Sequence, residues 1–202
     1  MFRTLTESPV LERLHNVLEA EIRVVQESIN ETSEQYEAAI DDGYELIENL
    51  LGMSFVSAQV FITSVQSEIN ALSKLCISRY GNELPIAQKQ SLFKLGPSLG
   101  ARTAHSAIEV VDGVANYWKH GDQWETEKGG SIWTTNRHNL RTVEIVNSIG
   151  LLPSSTGNLR KAARMLDVTS YDDLTPVRAV TCSWAKKAYE ATKKQVLNSI
   201  KH

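Results

Sequence analysis

The chain has 202 residues, 42% of them hydrophobic and 22% charged, a composition that excludes fibrous and intrinsically disordered classes. A chain of this length builds a self-sufficient core, and its two cysteines, Cys76 and Cys182, have no close cysteine or histidine with which to seed a zinc site, so neither metal nor cofactor is expected. The net charge of −3 is unevenly spread: residues 1–80 carry 5 basic and 13 acidic side chains, 81–157 carry 7 of each, and 158–202 carry 9 and 4. Such polarity brings subunits together or steers an anionic partner to one end, or else reflects ordinary solvated helix faces.

Met1 to Glu7 lack the apolar stretch of a secretory signal, and no run approaches the roughly twenty apolar residues that span a bilayer. The expectation is a cytoplasmic protein with no membrane partner. Helical periodicity then dominates. Ser8 and Pro9 read as N-cap and first residue of a helix whose stripe runs through Val10, Leu11, Leu14, Val17, Leu18, Ile22, Val25 and Ile29. Thr32 and Gln35 read as a capping box opening a second helix, in which Gly43 is either a kink or tolerated. A third, from Phe55 to Tyr80, has the widest apolar face and ends at Gly81-Asn82.

A helical turn or two between Pro85 and Leu95 stops at Gly96-Pro97, and apolar spacing resumes from Ala104 through Ile108, Val111, Val114 and Ala115 to Trp118. Residues 121–134 read as a polar surface loop. Helices follow over Leu140 to Gly150 and Leu159 to Leu166, and a last one begins after Thr175-Pro176 with Val177, Val180, Trp184, Ala188 and Val196 on one face. No strand-type alternation of useful length or internal repeat is present. The predicted fold is all-α, an elongated helical bundle with short satellite helices. It forms one domain over 1–202, with 154–202 readable as a C-terminal helical appendage.

The chemistry-bearing segment is Asn116-Tyr117-Trp118-Lys119-His120-Gly121-Asp122-Gln123-Trp124. On a helix, Asn116 shares a face with Lys119 and His120 one turn on. A histidine moves protons near neutral pH, an ammonium stabilises a phosphorane or holds a phosphate, and an asparagine orients the imidazole or the attacking hydroxyl. These are the parts of a metal-independent ribonuclease. The same residues also read as a helix terminus, with Lys119 and His120 a cationic cap and Trp118 and Trp124 folding the loop back.

Ala-Asn-Tyr-Trp-Lys-His resembles the motif of the HEPN superfamily of helical proteins, in which an arginine, usually followed by a polar residue, precedes a histidine by four to six intervening residues. The histidine falls on His120 and the polar residue on Asn116, whereas the arginine's place falls on Ala115. Lys119 is a substitute charge without arginine's planar fork. The resemblance implies an endoribonuclease or RNA-binding protein of a toxin–antitoxin or antiviral defence setting, acting as a homodimer. The catalytic residues it implies are His120 as general acid or base, Lys119 as electrostatic stabiliser and Asn116 as orienting group. The competing reading is a non-catalytic helical interaction protein that dimerises or docks a protein partner.

Arg137 and Arg141 lie in the first turn of a helix, where cations oppose the dipole unless an anion is near. With Trp124 they are the candidate substrate-binding residues, and either arginine is a spatial replacement for the missing one if it approaches His120. Gly157 to Val168 resembles the first half of a Fis-like helix-turn-helix. Asp167 stands where the turn usually has glycine, and Asp172, Asp173 and Pro176 occupy the place of a recognition helix, which argues against DNA. His105, His120 and His138 have no metal-ligand spacing, and no serine lies in a nucleophile elbow.

Overall fold

In the computed structural model, which describes residues 8–32, 36–121, 124–126, 131–153 and 155–200, the sequence forms seven α-helices. These are α1 (Pro9–Glu31), α2 (Glu37–Tyr80), α3 (Lys89–Phe93), α4 (Ala107–Lys119), α5 (Leu140–Ser148), α6 (Asn158–Met165) and α7 (Thr175–Ser199). Single 3₁₀ turns lie at Pro85–Ala87, Gly100–Arg102 and Arg137–Asn139. The all-α class expected from the periodicity is the observed one.

Ser8 caps α1 as read, its Oγ accepting from the Leu11 N–H at 3.1 Å. The apolar stripe of α1 is not one face but two. Leu11, Leu18 and Ile22 are buried together with His15, whereas Val10, Leu14, Val17 and Val24 are exposed. A stripe that mixes spacings of three, four and seven over 23 residues is wider than one neighbouring helix covers.

The second and third expected helices are a single 44-residue helix, α2. No proline interrupts Glu37 to Tyr80, and a glycine alone costs a helix interior only about 1 kcal/mol. Thr32 closes α1 instead of opening α2: its N–H bonds the Ile29 carbonyl and its Oγ1 donates to the Ser28 carbonyl at 2.7 Å. Gln35, the other half of the expected capping box, lies outside the described residues. The helix runs through Gly43, where a Cβ would come within 2.6 Å of Ile29 Cγ1. Glycine there lets α1 and α2 approach closely.

This long helix is the spine of the fold, packing against α1, α4, α6 and α7. Phe55, Ala58, Ile62, Val65 and Ile69 are fully buried along it, but Met53, Val60, Leu75 and Ile77 are exposed, so the widest apolar face is only partly covered. By length and composition α2 is apolar enough to cross a membrane, and half of its most apolar window is buried in the core. Gly81 ends it in the left-handed conformation, φ 70°, as expected.

Residues 158–200 contribute Leu159, Ala162, Val177 and Trp184 to the same core cluster as α2 and α4. Trp184 Nε1 donates to the Leu92 carbonyl at 2.7 Å, and its ring meets Phe93 edge-on. The first turn of α6 is capped from α2: the Glu48 carboxylate accepts from the backbone N–H groups of Leu159 and Arg160, and from Arg160 Nε at 2.8 Å. Within the expected polar loop, β1 (Glu125–Thr126) and β2 (Ile132–Trp133) pair antiparallel. They are too short to show a period in sequence, and Asn147 of α5 anchors them through two hydrogen bonds to the Ile132 backbone.

His15 is fully buried between α1 and α2, its Nε2 within hydrogen-bonding distance of Ser57 Oγ and the Ser54 carbonyl, while Nδ1 has no partner among the described residues. Burial pushes its pKa down to about 4 from 6.5. The unfolded chain therefore binds one more proton between these values, so stability is complete above pH 6.5 and falls as the pH drops toward 4. The expected loss is on the order of 3 kcal/mol. Urea denaturation at pH 7, 5.5 and 4.5 checks this, with His15→Leu expected to flatten the slope; an identical slope in that variant contradicts the assignment.

Candidate functional site

α4 carries the segment singled out in the sequence and is held at both ends. At its start, Ser106 Oγ accepts from the Glu109 N–H while the Glu109 carboxylate accepts from the Ser106 N–H, a complete capping box, and Ser106 Oγ also donates to the Phe93 carbonyl. At its end, His120 is the C-cap, its N–H bonded to the Asn116 carbonyl. Trp124 Nε1 donates to the Tyr117 carbonyl at 2.7 Å and its ring stacks on Tyr117. Trp124, expected to bind substrate, thus satisfies one of the last-turn carbonyls of α4. Asp122 and Gln123 of the same segment lie outside the described residues.

Asn116 and Lys119 meet on a residue that the sequence reading passed over. Gln59, only 6% exposed in the middle of α2, donates through Nε2 to Asn116 Oδ1 at 2.9 Å and to Asp112 Oδ1 at 2.8 Å, and its Oε1 accepts from Lys119 Nζ at 2.6 Å. Lys89 of α3 donates to the other oxygen of Asp112 at 2.8 Å. One network therefore joins α2, α3 and α4. The signal for it was present: Asp112, Asn116 and Lys119 lie four and three residues apart on one helix face, and Gln59 is a strong hydrogen-bonding group within the uncharged run from Asn49 to Ser67.

Asn116 also lines a cleft of about 290 Å³ between α3, α4 and α5, together with Lys89, Glu109, Asp112, His138 and Arg141. Arg141 and Asn116 thus share a cavity. The anion that relieves Arg141 of the unfavourable dipole is the protein's own: Nη2 donates to Glu109 at 2.5 Å and Nη1 to Glu144 at 2.6 Å. Burial opposes the charge of Glu109, but the Ser106 N–H and Arg141 outweigh it and hold the carboxyl below its ordinary value. Burial likewise opposes the charge of Arg141, which its two carboxylate partners raise above the usual value. Arg137 is exposed in the 3₁₀ turn and does not line the cleft.

His120 stands apart from the network. Its side chain is half-buried, lines neither this cleft nor the apolar groove between α1 and α2, and has no side-chain partner among the described residues. Ala115, where the HEPN arginine falls, is fully buried against the core. Tyr117 and Trp118 are structural: Asn158 donates to the Tyr117 hydroxyl, which donates to the Leu152 carbonyl, while the Trp118 indole lies where a Cβ on Gly52 would be. The second-helix register of a helix-turn-helix is not completed. Asp167 takes the left-handed conformation at φ 64°, with Arg102 on its carboxylate at 2.7 Å, and no helix follows until Thr175.

Chemically, the arrangement presents donors. Asn116 Oδ1 is engaged, which aims its amide nitrogen away from Gln59, and Lys119 is the ammonium of this cluster with no carboxylate partner among the described residues. Among the described residues no group of three or more metal-ligating side chains is present. Replacing Gln59 by leucine strips Asn116, Lys119 and Asp112 of a common partner, and the expected cost is about 1–3 kcal/mol. Chemical denaturation of Gln59→Leu beside wild type measures it, and equal stability would show that the network contributes nothing. No protein-family model matches the chain, and no curated protein or solved structure matches it either.

Proposed function

We propose that this chain is a HEPN-like helical protein that binds RNA through phosphate groups at the edge of the α3–α4–α5 cleft. Asn116 and Lys119 supply the donors, with Lys89 beside them. The observation that carries the reading is the clamp from Gln59, which fixes side by side an amide and an ammonium that no carboxylate among the described residues neutralises. Preorganised donors lose little side-chain entropy on meeting an oxyanion, and hydrogen bonds from a charged donor are about twice as strong as neutral ones. Cleavage asks more than binding. It requires His120 as acid or base, and among the described residues the imidazole has no partner that orients it, so substrate must bring it into line.

The second reading, an interaction protein without chemistry, is favoured by a different feature. An apolar groove of about 590 Å³ runs between α1 and α2, lined by Leu14, Met53, Val56, Val60, Phe61 and Trp118. Exposed apolar surface of this kind marks contact sites. The two readings are compatible, because Trp118 belongs to the groove and lies one residue from Lys119.

Fluorescence anisotropy with a labelled single-stranded RNA tests the first reading. Lys119→Ala is expected to weaken binding about tenfold and to lower the slope of log affinity against log salt by about 0.7, the increment for one phosphate contact on a single strand. Asn116→Ala is expected to weaken binding with the slope unchanged. Wild-type protein that fails to bind RNA at low salt, or binding indifferent to Lys119, overturns the proposal. Incubation of wild type and His120→Ala with a mixed RNA pool separates cutting from binding, since cleavage lost only in the variant assigns the histidine.

A further inference from the structure

The two sides of α7 meet different surroundings. Val177, Thr181, Trp184, Ala188 and Thr192 are buried against the core, whereas Lys186, Lys187, Lys193 and Lys194 are exposed on the other side. Seven residues make two turns, so Lys186 and Lys193 stand about 10.5 Å apart in one row, and Lys187 and Lys194 likewise in the next. None of the four ammonium groups has a carboxylate partner among the described residues. Glu190 is the only acidic residue of the helix. At the C-terminal end of this outer face stand Leu197 and Ile200, 50% and 52% exposed. Where the basic and apolar parts meet, Lys193, Lys194 and Leu197 border a depression of about 280 Å³.

Four ammonium groups with no counter-charge select an anionic partner, and the rest of the face says which. A nucleic-acid strand held without base readout needs aromatic side chains for its bases to stack on, and no exposed aromatic lies on α7. Against a phosphodiester backbone Leu197 and Ile200 would have no use. Against a lipid surface they have one, because apolar side chains sink to the boundary of headgroups and acyl chains while lysine stems reach back to the anionic headgroups. The rest of the charge distribution does not oppose this. The acidic residues of 1–80 lie on α1 and α2, which α7 meets with its inner side. One helix diameter, about 10 Å, separates them from its outer face, and charges so far apart are largely screened at physiological salt. Such association lies in the headgroup plane and involves no membrane span.

We infer that the outer face of α7 docks on an anionic lipid surface, with Lys186, Lys187, Lys193 and Lys194 on the headgroups and Leu197 and Ile200 as the apolar anchor. The assignment does not depend on RNA binding at Asn116 and Lys119. Co-sedimentation of the full chain with phosphatidylcholine vesicles, with and without about 30% phosphatidylserine, tests it. Wild type is expected to bind only the anionic vesicles, with half-saturation on the order of 1 mM lipid at low salt. Each lysine near such a surface is worth about fivefold in affinity, so Lys193→Gln with Lys194→Gln is expected to weaken binding about 25-fold. Glu190→Gln removes the one opposing charge and is expected to strengthen it about fivefold. Leu197→Ser with Ile200→Ser is expected to cost about tenfold, a loss that a purely electrostatic contact would not show. All five side chains are exposed, so helical circular dichroism is expected to stay unchanged. Wild type that ignores anionic vesicles at low salt, or binds neutral ones equally, overturns the inference. So does lysine-dependent binding indifferent to Leu197 and Ile200. If the lysine variant instead loses affinity for RNA while vesicles are ignored, the face belongs to nucleic acid.

Discussion

A primary amide buried in the middle of a helix has donors and an acceptor to satisfy and no water to satisfy them with. Gln59 is that amide, and its solution sets the geometry of the rest. It draws on the backbone and side chain of Asp112 and on Asn116 and Lys119, all on one face of α4. The rotation of α4 against α2 is thereby fixed, and with it the direction of every residue in the Asn116–Lys119 segment. Lys89 extends the lock to α3 through Asp112. Apolar packing alone tolerates small rotations between helices, whereas a polar network accepts one register.

Much of the fold was legible because its signals are local. The Ser8 cap, the left-handed Gly81 and the apolar spacing of α4 depend on residues within a turn of each other. What could not be read depends on distant partners. Glu48 caps α6 across more than a hundred residues, and whether Gly43 kinks α2 or is tolerated is decided by Ile29, which packs where its Cβ would be. The divided stripe of α1 misled for a related reason, since periodicity reports which residues are apolar and not how many neighbours stand ready to cover them.

The candidate site was half legible. Spacing correctly put Asn116 and Lys119 on one face, but the same spacing also admitted His120, whose role as C-cap turns it out of the network. Arg141 does reach the cavity that Asn116 lines, yet Glu109 and Glu144 already hold both ends of its guanidinium. A sequence gives the inventory of charges without their pairing. Among the described residues of this cluster the cation without a carboxylate is Lys119, and it became identifiable only once Asp112 had been given to Lys89.

The separation of Gln59 from its partners has a consequence in time as well as space. Its hydrogen bonds close over 53, 57 and 60 residues, while the α1–α2 hairpin is complete within the first 80. A chain synthesised from its N-terminus therefore possesses its spine, with the amide still bonded to water, before α4 exists to replace that water. Until then the hairpin has every apolar contact it can make by itself and none of the polar ones that select its final neighbour.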